Sequence, residues 1–193
     1  MTKYALGLTL GAALVLGTVV LAQNPAQAAA RKDILDVAKA VEDGKTDKAI
    51  QAKVKAIKVK GTDLEDLMRV YKPRQKAGLG FGAKPAADSG IEMKIIELQR
   101  NARGPAAAAL KRDSEDLVKM AYVTLAMAEI TRPYFVKPRN GKGNKDWQKW
   151  LDDQRQASID LIAAVKAQNA KAVAQAAKKM VDSCTECHAA FRN

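Results

Sequence analysis

Histidine and cysteine are nearly missing from this chain, with one histidine and two cysteines among 193 residues. Those three donors fall short of the four protein ligands that a structural zinc site uses. No pair of imidazoles can meet on one metal within a single chain. Aromatic residues make up only 5%, and no nucleic-acid-binding motif accompanies the basic composition, so a nucleic-acid partner is not expected. Strand signals are nearly absent as well. Alanine, lysine, leucine, glutamine, glutamate and aspartate dominate, which is a helix-forming composition. An all-α fold follows.

What the chain does have is concentrated near its end. Both cysteines and the histidine fall in Cys184-Thr185-Glu186-Cys187-His188. C-x-x-C-H is the attachment signature of a c-type haem. Two thiols bond to the porphyrin vinyl groups, and the adjacent imidazole holds the iron from one face. Residues i, i+3 and i+4 share a helix face, so Cys184, Cys187 and His188 can address one flat macrocycle. A thiol oxidoreductase would place its pair at the start of a helix after a strand, whereas this pair lies late in a helical segment. A structural disulfide between residues three apart would staple very little chain.

The opposite end carries an export pattern. Met1-Thr2-Lys3 precedes an apolar stretch from Tyr4 to Ala22, and Ala26-Gln27-Ala28 offers a small-residue cleavage site. This is the layout of a secretory signal, residues 1–28, leaving residues 29–193 as one haem-binding domain in the periplasm. The rival reading is an N-terminal membrane anchor, since the apolar stretch approaches the length that crosses a bilayer. The whole chain carries a formal charge of +12. Such a balance favours an acidic redox partner or an anionic membrane surface.

Periodicity divides the rest into helices. Ile34, Leu35, Ala38 and Val41 predict a helix from about Lys32 to Glu42, and Ile50, Val54 and Ile57 a second from Thr46 to about Lys58. Thr62-Asp63-Leu64-Glu65 reads as a capping box opening a short helix with Leu64, Leu67, Met68 and Tyr71 on one face. Pro73, Gly78, Gly80, Gly82 and Pro85 make the next stretch a basic loop. Its G-x-G-x-G has no preceding strand, so the dinucleotide fingerprint fails; Leu79 and Phe81 are candidates to cover a haem edge. Further helices are expected from Ile91 to Asn101, from Asp113 or Ser114 to Thr131, from Asn144 past Val165, and from the Gln168-Asn169 turn through the haem motif. So short a turn makes the last two an antiparallel hairpin.

The stretch from Trp147 to Arg192, with Cys184-Thr185-Glu186-Cys187-His188-Ala189-Ala190-Phe191-Arg192 at its end, resembles the class II cytochromes, the cytochrome c-prime family. The segment Ser114–Thr131 followed by Pro133-Tyr134-Phe135 is similar to that family's second helix. The resemblance implies an antiparallel four-helix bundle with one covalent haem c on its last helix. Here residues 111–193 would match the family best, and residues 31–110 would add an N-terminal helical hairpin and loop. Homodimers are common in the family. In its six-coordinate members a methionine in the first bundle helix, followed soon by glycines, is the sixth ligand, and Met68 is similar in placement if residues 62–71 begin that helix, with Arg69, Tyr71, Lys72 and Arg74 near to meet propionates. An open sixth position is the alternative. Tyr71 is a second candidate there, and Phe191 and Arg192 belong near the proximal imidazole or in ordinary packing. Met120 and Met127 fall on apolar stripes as core residues. The expectation is an exported monohaem cytochrome that carries single electrons and is not an enzyme; the alternative is a five-coordinate haem protein that binds nitric oxide or carbon monoxide.

Overall fold

The structure is a computed structural model and describes residues 25–135 and 137–192. Among the described residues it is all-α, with no strand. Seven α-helices follow in order: α1 (Pro25–Glu42), α2 (Asp47–Val59), α3 (Leu64–Met68), α4 (Ile91–Arg100), α5 (Ala107–Thr131), α6 (Asn144–Lys166) and α7 (Ala170–Phe191). Residues 1–24, which hold most of the expected leader, lie outside the described residues. Ala26, Gln27 and Ala28 fall in the first turn of α1, and the first buried residue of that helix is Ala30. Cleavage after Ala28 would therefore remove none of the buried face. No described helix is long and apolar enough to cross a membrane.

The long helices pack side by side. α7 lies along α6, its most extensive partner; α6 lies along α5; α4 covers the other flank of α7, and α1 lies on α5. Named contacts fix the direction of each seam. Lys179 bonds Asp160 at 2.9 Å and Trp150 bonds Glu186 at 2.5 Å, so α6 and α7 run antiparallel. Arg155 to Glu129 and Arg132 to Asp152, at 2.9 and 2.6 Å, set α5 and α6 antiparallel too. The α5–α6 seam also buries one polar pair, Thr124 Oγ1 and Ser158 Oγ at 2.9 Å, with both side chains bonded back to their own helices. That satisfies groups whose burial would otherwise be costly.

α1 begins at Pro25, ahead of the expected Lys32, and two further expectations are corrected. α5 begins at Ala107, several residues before Asp113. Ala107 to Ala109 are strong helix formers without apolar contrast, so the periodic pattern does not register until Leu110, which is 1% exposed. The capping box at Thr62 does not form. Asp63 is the N-cap of α3 and makes no side-chain cap bond, while Glu65 accepts from Arg69 instead. α3 then stops at Met68 and tightens into a 310 turn, Arg69–Tyr71. The segment is too short to be a bundle helix of its own.

The loop after Tyr71 is irregular as expected, apart from one 310 turn at Arg74–Lys76. Gly78 is required there, because a Cβ would stand 1.7 Å from the Lys72 carbonyl oxygen. Leu79 borders a surface cleft against α1, and Phe81 lies under the Lys94 ammonium at 5.0 Å.

Candidate functional site

Each residue of an α-helix turns the chain by about 100°. Taking Cys187 as reference, Glu186 points to one flank of α7 and His188 to the other. Cys187 packs against the hydrophobic core. The Glu186 flank meets α6 through Trp150. The Cys184 and His188 flank meets α4 and the segment before it, where Glu92 accepts from Lys72 at 2.5 Å and both charges act on His188. The motif thus sits where α6, α7 and α4 converge.

Both thiols are free. Burial pushes Cys184 up to about 11, with the Glu92 carboxylate adding to the rise and the Ser183 hydroxyl opposing it. Burial likewise lifts Cys187 to about 11, and the neighbouring Cys184 adds to it. A thiol-exchange pair needs the reverse, a thiolate stabilised at neutral pH. His188 is exposed at its outer edge, yet adjacent protein strips part of its water. That desolvation, then the Arg192 and Lys72 charges, hold the imidazole below its ordinary value, against the pull of Glu92. The chemistry of this donor set, two unpaired thiols and a neutral imidazole on adjoining turns, fits a covalently held haem. Among the described residues no three His, Cys, Asp or Glu side chains gather as ligands for a metal ion; the motif's donors spread along a face instead of meeting at a point.

The expected neighbours divide. Tyr71 comes to the site. Its phenol oxygen accepts from Gln154 Nε2 at 2.7 Å, and burial, then the charge of Cys184, push its ionisation well above the ordinary tyrosine range. Arg192 is close to His188, its backbone N–H donating to the His188 carbonyl at 3.0 Å. Phe191 joins an aromatic cluster, with its ring 5.4 Å from Trp147, 5.9 Å from Trp150 and 5.9 Å from Phe135. Met68 is half-buried against the core. Met120, Met127 and Met180 are fully packed, and Met93 is 52% exposed.

Sequence reasoning missed Gln154, Glu92 and the Trp150–Glu186 contact. A signal for two of them existed. Gln154 and Cys184 stand fifteen residues on either side of Asn169, so an antiparallel hairpin about that turn sets them level, and Trp150 level with the later residues of the C-x-x-C-H motif. Glu92 had no such signal, because nothing in the sequence says that α4 covers this flank of α7. The turn Arg139–Lys142, with Asn140 and Gly141 at positive φ, closes the end of α7: Asn140 Nδ2 donates to the Ala190 carbonyl at 2.9 Å. Comparison with protein-family models, curated proteins and solved structures finds no match, so the likeness to class II cytochromes rests on the residues of this chain.

Proposed function

We propose that this chain is an exported, monohaem c-type cytochrome that carries single electrons. The observation that carries the reading is the placement of two free thiols and one imidazole, Cys184, Cys187 and His188, at i, i+3 and i+4 of the last helix. Cys187 faces the core, and the other two face α4. Haem, when bound, supplies a one-electron couple whose potential the protein sets by ligation, burial and hydrogen bonds. In this reading Cys184 and Cys187 would hold the porphyrin, His188 would ligate the iron, and Lys72 and Arg192 would offer cations for the propionates. The finer fold reading, an antiparallel four-helix bundle of cytochrome c-prime type with an added N-terminal hairpin, is part of the proposal. It is supported by the antiparallel α5, α6 and α7 and by α4 against α7. Partners are an acidic redox protein, with an anionic membrane surface or a second copy as further candidates.

The test is expression with an export leader and haem-ligating machinery. The expected product is coloured, keeps its haem on a denaturing gel, and exceeds the polypeptide mass by one haem. Cys184→Ser/Cys187→Ser loses the covalent colour. A colourless wild type of bare polypeptide mass would falsify the reading. The optical spectrum then separates the two haem functions. A low-spin oxidised spectrum with a methionine-to-iron band, lost in Met68→Ala, is the electron-carrier result with Met68 as ligand. A high-spin spectrum that shifts with carbon monoxide after reduction gives the five-coordinate, gas-binding alternative.

A further inference from the structure

We infer that Trp150 is a positioning residue that fixes the roll of α7 about its own axis, and so the direction in which His188 faces. The inference rests on the haem reading above and extends it to a residue outside the motif. Trp150 lies on α6 and is 6% exposed. Its indole N–H donates to Glu186 Oε2 at 2.5 Å, a charge-assisted bond and so one of the stronger kind. The same indole packs edge-on to Phe191, with centroids 5.9 Å apart and planes at 70°. One side chain therefore grips α7 on both sides of Cys187 and His188.

Direction follows from helix geometry. Glu186 and His188 flank Cys187 at about 100° to either side. Pinning Glu186 to α6 turns His188 and Cys184 toward α4 and leaves Cys187 facing inward. Indole nitrogen is a donor only, so the contact has one sense, and a carboxylate at position 186 is its natural acceptor. Among the described residues the other side-chain bond from α7 to α6, Lys179 to Asp160, lies two turns away on an exposed lysine.

The experiment compares Trp150→Phe, Glu186→Gln and Glu186→Ala with wild type in the full chain. Trp150→Phe keeps a ring against Phe191 and loses the donor. Glu186→Gln keeps an acceptor and loses the charge. Glu186→Ala removes the acceptor at an exposed position where the fold tolerates it. Amide hydrogen exchange over residues 183–191 is the readout that does not need haem: it rises tenfold or more in Trp150→Phe and Glu186→Ala and stays within threefold of wild type in Glu186→Gln. In the haem-loaded protein, electron paramagnetic resonance of the oxidised iron shows a second His188 orientation in the first two variants and a single one in Glu186→Gln. Unchanged exchange in both Trp150→Phe and Glu186→Ala overturns the clamp, and so does changed exchange with a single unshifted resonance signal. A wild type that carries no haem defeats the haem reading instead, while exchange still decides whether Trp150 holds α7.

Discussion

A thiol that stays protonated well past neutrality is a poor nucleophile, and both cysteines of the motif are in that state. Their pKa values rise from 9.0 to about 11, chiefly through burial. At pH 8 a shift of that size lowers the thiolate fraction about a hundredfold. Haem-free chain is therefore expected to react with iodoacetamide about a hundredfold more slowly than unfolded chain at the same pH, as followed by mass spectrometry. Equal rates would show the thiols to be open to water. The linkage has a definite sign. Between pH 9 and 11 the folded chain keeps protons that the unfolded chain gives up, so haem-free protein loses stability as pH rises through that window. The identity of these residues was legible in the sequence, since the motif is local. Their burial was not, because it depends also on α4, which is remote in the chain.

At the level of elements, the boundary of α5 and the connection from α4 decide how the helices seat. Leu110 is 1% exposed in the first turns of α5. Leu110→Ala is expected to cost about 2–4 kcal/mol in thermal or urea denaturation; a nearly neutral change would mean that Leu110 is not packed in the core. Gly104 stands in the connection at φ +82°, and a Cβ there would come 1.8 Å from the Ala170 carbonyl oxygen at the start of α7. Gly104→Ala meets backbone, not a yielding side chain, and is expected to cost about 2 kcal/mol or more. A denaturation midpoint equal to wild type would mean that the connection and α7 are not seated together. Periodicity found the helices whose apolar stripes contrast with polar faces, such as α2 and α6. It misplaced the start of α5, where alanines offer no contrast, and it read a capping box where Asp63 took the cap.

The whole molecule is strongly basic, at +12 for the full chain, and many of its cations are paired locally, as in Lys32–Asp36, Lys149–Asp153 and Lys178–Asp182. Such exposed pairs contribute little to stability, but the unbalanced remainder gives a positive field at longer range. If the chain carries haem as proposed, its reduced form is expected to transfer electrons to ferricyanide several-fold more slowly as ionic strength rises from about 0.01 to 0.15 M, where the screening length shortens to about 8 Å. A cationic cobalt complex is expected to show the opposite trend in stopped-flow measurements. Matching salt dependences for the two oxidants would remove the argument for an acidic partner.

The sequence by itself determined the helical class, the turn at Gln168-Asn169, the antiparallel α6–α7 hairpin and the three donors of the C-terminal motif. Each of these depends on local spacing or on residues joined by a short turn. Only the tertiary structure decided what covers the motif's other flank: Glu92 and Lys72 against it, and Tyr71 brought in against Gln154. Those choices rest on burial and register between segments up to 83 residues apart, and hydrophobic burial is indifferent to order along the chain.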